Sequence, residues 1–183
     1  MTIAYYRLPP PYDEPTAIAG LKAYVRARAG DLCVLRPRHD AEVASDISTW
    51  LTLRGHRPPK EIGDVIDSTV NNVETCSTAG AAAAAAGITL TRMRSALEPA
   101  GLPNPREFFQ IVRLLTIAVT LQRNVDISLS TVAESHGYWD AAARRPRLQD
   151  VFGAAPTDIR RCLGWEWLLF QALRRAGVDT ARH

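Results

Sequence analysis

Apolar residues recur along this chain in two different rhythms, and the change between them divides it. Residues 2–6, Thr-Ile-Ala-Tyr-Tyr, are rich in strand formers and run into the extended Pro9-Pro10-Pro11. Asp13-Glu14-Pro15 then predicts a helix start, with an acidic cap and a proline in the first turn. Ile18, Leu21, Tyr24 and Val25 give that helix one apolar stripe, and Gly30 stops it. Leu32-Cys33-Val34-Leu35 is an unbroken apolar run of strand length, the pattern of a strand covered on both faces. Asp40 caps a second helix with the stripe Val43, Ile47, Trp50 and Leu51, ending near Gly55. The order is β-α-β-α. Two strands make no independent sheet, so the piece must pack on the rest of the chain or on a second copy.

Arg57-Pro58-Pro59-Lys60 halts regular structure and separates residues 1–57 from residues 58–183. Beyond it every apolar period is helical. Ile62, Val65, Ile66, Thr69, Val70 and Val73 form one stripe, and residues 81–86 are an alanine run that Gly87 ends. Thr89 caps the next helix, which runs to about residue 100. A turn at residues 101–105 leads into a long helix over residues 106–123, with Phe109, Val112, Leu115 and Val119 along one side. Residues 129–136 make a short helix that Gly137 breaks, and Asp140 caps another segment. Pro156 opens a terminal helix with Trp165, Leu168, Leu169, Ala172 and Leu173 on one face. The fold class expected is therefore mainly α, preceded by a small two-stranded α/β segment.

Composition narrows the chemistry. Apolar residues make up 46% of the 183, and charged residues 22%, which is a globular balance. No apolar stretch approaches the ~20 residues of a membrane span, and no basic-then-apolar signal opens the chain, so no membrane partner and a cytoplasmic address are expected. The net charge of +3 is too small to name a polyanion partner by itself. Cys33, Cys76 and Cys162 are odd in number and lack metal or redox spacing, so they are expected as buried free thiols. His39, Asp40 and Glu42 lack a second histidine one turn on and are expected as a solvated helix start; no metal and no cofactor is expected. No glycine-rich turn follows the first strand, and no nucleophile, base and orienting acid stand together, so the chain is not expected to be an enzyme.

Twice the chain shows a short helix, a glycine turn and a capped second helix: residues 81–86, Gly87-Ile88 and residues 89–97, then residues 129–136, Gly137-Tyr138-Trp139 and the segment from Asp140. Helix, tight turn, helix is the arrangement of the DNA-reading helix-turn-helix. The second copy reads Leu129-Ser130-Thr131-Val132-Ala133, Gly137-Tyr138-Trp139-Asp140, Phe152-Gly153, Pro156 and Ile159-Arg160. With Leu115, Ala118 and Leu121 in register upstream, and Ala86-Gly87-Ile88-Thr89, Met93 and Leu97 in the first copy, residues 61–163 resemble the C-terminal DNA-binding domain of the AraC/XylS family of bacterial transcription regulators. The resemblance implies two helix-turn-helix units joined by a linker helix, and bases read from the front of each second helix.

Carried over to this chain, the resemblance implies base reading by Thr91, Arg94 and Ser95, with Thr89 and Arg92 on phosphates. Arginine is the commonest bidentate partner of guanine, and threonine meets a thymine methyl or a phosphate. The second unit departs from the family. It carries Ala141, Ala142, Ala143 and Pro146 where base readers would stand, and Arg144 where the family has an aromatic. Alanine hydrogen-bonds no base edge, so Arg144, Arg145 and Arg147 are expected to clamp phosphate instead, a solvated arginine cluster being the competing reading. Pro146 would disrupt a helix begun at Asp140, and a regular helix starting at Pro146 itself avoids the clash.

Between residues 86 and 163 ten arginines face seven acids, an excess that predicts moderate, salt-sensitive affinity. The expected function is a sequence-specific DNA-binding transcription regulator with double-stranded DNA as partner, a homodimer through its small sheet, and RNA polymerase or another regulator as a further partner. The alternative is a degenerate helix-turn-helix protein acting as a protein-interaction adaptor or anti-regulator, which the alanines and proline of the second unit keep open.

Overall fold

The computed structural model describes residues 40–72, 75–124, 126–136, 141–162 and 165–178. These residues belong to one compact unit, residues 36–183. The strands expected at residues 2–6 and 32–35, the helix between them and the dimer-forming sheet edges lie outside the described residues. Among the described residues every regular element is a helix: α1 (Asp40–Leu53), α2 (Lys60–Asn71), α3 (Ala79–Ala85), α4 (Leu90–Leu97), α5 (Pro105–Arg123), α6 (Leu129–Ser135), α7 (Ala141–Phe152), α8 (Pro156–Cys162) and α9 (Trp165–Arg175). None of them is long and apolar enough to cross a membrane.

The stripes of the sequence become the core. Val43, Ile47, Trp50 and Leu51 of α1 are buried against α2, which turns Ile62, Val65, Ile66 and Val70 inward. The prolines at 58 and 59 therefore separate two packed helices of one unit. Arg54, just past α1, lays its guanidinium over Trp50 and over Phe170 of α9. His56 donates its Nδ1–H to the carbonyl of Ala100, tying this corner to the turn after α4.

Helix α5 carries the rest. It was expected to bury one side; instead 14 of its 19 residues are buried. An apolar stripe on one face is enough for a helix with one neighbour, whereas a helix apolar nearly all round needs cover on all sides. Helices α2, α3, α4, α6, α8 and α9 all pack on α5 and supply that cover. The terminal segment expected as one helix from Pro156 onward comprises α8 and α9, with residues 163–164 between them outside the described residues, and Trp165, Leu168, Leu169, Ala172 and Leu173 of α9 are buried.

Short helices need help at their ends, because the first four amides of a helix lack partners within it. Thr78, Thr89, Asn104 and Ser128 each accept a hydrogen bond from the amide three residues on, at the starts of α3, α4, α5 and α6. Each such cap contributes about 1 kcal/mol.

Candidate nucleic-acid interface

Helices α3 and α4 form a tight pair. After α3, Gly87 adopts φ +73°, its amide bonds the Ala84 carbonyl, and the Ile88 amide reaches back to Ala83. That left-handed closure satisfies the last carbonyls of α3 and turns the chain in three residues, which an L side chain at 87 would strain. Thr89 follows at once, its Oγ1 accepting the Arg92 amide at 3.1 Å. The turn signal read in Gly87 and the cap read in Thr89 are both present.

The inner face of α4 is Met93, Ala96 and Leu97, all buried, on a helix packed against α2, α3 and α5. The outer face is Thr91, Arg92, Arg94 and Ser95, all exposed, with Thr89 and Leu90 exposed at the start. The sequence-derived residues 89, 91, 92, 94 and 95 thus lie on one accessible helix. Their side chains are not equally available. Ser95 Oγ donates to the carbonyl of Arg92 at 3.0 Å, so its lone pairs remain to accept. Arg92 Nη2 donates to Glu61 Oε1 of α2 at 2.7 Å. The Arg92 hydrogen bond, helped by a backbone hydrogen bond, holds the Glu61 carboxyl below its ordinary range. The Arg94 guanidinium meets no hydrogen-bond or ion-pair partner among the described residues. The first turn of α4 holds no acidic residue. Its N-terminal turn carries one cation of its own, Arg92, while Arg94 stands in the last turn; a positive dipole end without an acid in its own first turn is favourable to an anion.

The second pair is described in part. Ser128 caps α6, Val132 and Ala133 are buried, and α6 packs on α5 and α7. Gly137, Tyr138, Trp139 and Asp140 lie outside the described residues. Helix α7 begins at Ala141 and runs unbroken through Pro146 to Phe152. The expected helix start at Pro146 is thus corrected: the alanines belong to the same helix. Proline has no amide hydrogen, so the carbonyl one turn earlier, at Ala142, loses its helical donor. Arg144 and Arg145 are positions of α7 whose side chains lie outside the described residues, and Arg147 is exposed.

One residue that joins the two pairs was not singled out from the sequence. Arg113, in the middle of α5, is buried. Its Nη1 donates to the carbonyl of Ser77, just before α3, and its Nη2 to the carbonyl of His136, at the end of α6. Its guanidinium also lies 5.8 Å from the centre of the Phe109 ring. One of the ten arginines counted toward a nucleic-acid field is therefore a core residue. The signal was present as a lone charge in Ile111-Val112-Arg113-Leu114-Leu115. His136 is buried beside it, donating Nδ1–H to Val132 at 2.7 Å.

Among the described residues no three histidines, cysteines or carboxylates gather closely enough to hold a metal ion. Cys76 is buried and free. The chemistry of the exposed face is thus that of hydroxyls and guanidiniums around a helix N-terminus. No family model, no curated protein and no solved structure matches the chain.

Proposed function

We propose that the chain is a sequence-specific DNA-binding transcription regulator of the AraC/XylS type, reading bases with α4 and holding phosphate with α7. The observation that carries this reading is the outer face of α4, where Thr91, Arg94 and Ser95 stand exposed on a capped helix rooted by Met93, Ala96 and Leu97. Arg94 brings a forked donor that fits the O6 and N7 edge of guanine. Thr91 brings a methyl for thymine, and Ser95 an acceptor for an exocyclic amine. Thr89 and Arg92 at the helix start meet the sugar-phosphate backbone, where the helix dipole favours anions. Arg144, Arg145 and Arg147 on α7 add sequence-independent phosphate contacts.

Titration of the full chain against a selected cognate duplex and a scrambled duplex, at two salt concentrations, tests the reading. Arg94→Ala should cost about 1 to 3 kcal/mol on the cognate site and relax preference at one base. An unchanged cognate-to-scrambled ratio would remove α4 as the reader. A second reading has its own support in α7, whose front of three alanines ahead of Pro146 is poorly equipped to read bases. In that reading the chain is an adaptor or anti-regulator that contacts protein. Absence of DNA binding at low salt favours it.

A further inference from the structure

Arg92 stands at the third position of α4, where a phosphate would be met, yet its guanidinium is already engaged. Nη2 donates to Glu61 Oε1 at 2.7 Å, and the two side chains remain 59% and 33% exposed. Glu61 comes from the first turn of α2, 31 residues earlier in the chain. Two things hold it there as an anion: the N-terminal dipole of α2 and the Arg92 guanidinium itself. A carboxylate and a phosphate ask for the same donor in the same planar fork, so they compete for it. Because the pair is open to water it is weak enough to be displaced. After displacement the carboxylate faces the phosphates within a screening length of about 8 to 10 Å, and repels them.

Resting on the DNA-binding reading, we propose that Glu61 is a built-in competitor for DNA phosphate. It occupies Arg92 in the free protein and sets affinity low for all sequences alike. Binding then depends on the base contacts of α4 for the remainder, so Glu61 keeps the protein off non-cognate DNA. The counter-charge is supplied by α2 in place of the acidic residue that the first turn of α4 lacks.

The test is a salt series of DNA binding by the full chain and its Glu61→Gln, Glu61→Asp and Glu61→Gln/Arg92→Gln variants, with cognate and scrambled duplexes. Glu61→Gln should tighten both duplexes by about 3- to 10-fold at low salt. It should also steepen the salt slope by roughly one ion, because Arg92 then neutralises a phosphate without an offsetting carboxylate. Glu61→Asp keeps the charge and should keep the wild-type slope, whereas a role resting on the length and packing of the side chain predicts that it shifts binding as Glu61→Gln does. In the double variant most of the gain should vanish. DNA binding with an affinity and slope unmoved by Glu61→Gln, or weakened by it, overturns the competitor role while leaving the DNA-binding reading to the Arg94→Ala ratio. Failure of both wild type and Glu61→Gln to bind any duplex at low salt overturns both.

Discussion

A guanidinium inside a helical core survives only where carbonyls are free to accept from it, and helix ends are where such carbonyls are found. Arg113 meets that condition twice, at Ser77 and at His136. Removing it leaves the His136 carbonyl buried, and the Ser77 carbonyl part-buried, beside a space without that donor. Arg113→Met should therefore destabilise the protein by about 2 to 4 kcal/mol in urea unfolding, more than its lost cation–π contact with Phe109 explains. Arg113→Lys should recover only part of this, because one ammonium lacks the fork that spans two carbonyls. A Met variant as stable as wild type would show that the two carbonyls find other donors. Charge counting cannot see this role: a residue contributes equally to net charge whether it faces solvent or the core. The run of apolar neighbours on either side was the only sequence trace of its burial.

At the scale of elements, what the sequence made legible is what local chemistry decides. The stripes of α1, α2 and α9 are period-3.6 patterns, and their inward residues are the buried ones. Gly87 and Thr89 mark a boundary because a positive φ and an amide acceptor are local demands. Three things were not legible, each for a non-local reason. The breadth of burial on α5 depends on how many helices surround it. The stripe of α8 continues in phase on α9, so periodicity alone joins the two elements. The path of α7 through Pro146 reverses the local rule, since tertiary contacts of Leu148 and Phe152 keep the helix whole. That last case is testable. Pro146 removes one helical hydrogen bond and crowds the preceding turn, at a cost of up to ~3 kcal/mol relative to alanine. Pro146→Ala should raise stability by about 1 to 3 kcal/mol and shift the urea midpoint upward without changing the slope. Loss of stability would mean that the native turn before Pro146 is shaped to the proline. On the candidate interface, the exposed residues of α4 were legible from the resemblance. The partner of Arg92 was not, because Glu61 lies 31 residues earlier in the chain, on another helix.

Across the whole unit, α5 is what makes two helix pairs one object. Helices α3, α4 and α6 have seven, eight and seven residues. In isolation helices below about 12 residues are marginal in water, so these stand because α5, and for α3 and α4 also α2, receives their apolar faces. Leu115, Ala118 and Leu121 of α5 are fully buried along its length, and Arg113 bonds to both pairs from the same helix. On the proposed reading α4 and α7 meet one duplex, which needs their separation fixed; α4 packs on α5 directly, and α7 packs on α6, α8 and α9, which themselves pack on α5. The consequence is cooperative unfolding. Leu115→Ala should cost about 2 to 5 kcal/mol, the range for a large-to-small change in a closed core. Amide exchange of Met93 in α4 and of Val132 in α6 should then speed up by the same factor, because both open only when α5 lets go. If exchange accelerates at Met93 while Val132 keeps its protection, the two pairs open separately. In that event a duplex that spans both, as the proposed reading has it, would meet two independently moving surfaces, and tight binding would require ordering one against the other at the moment of contact.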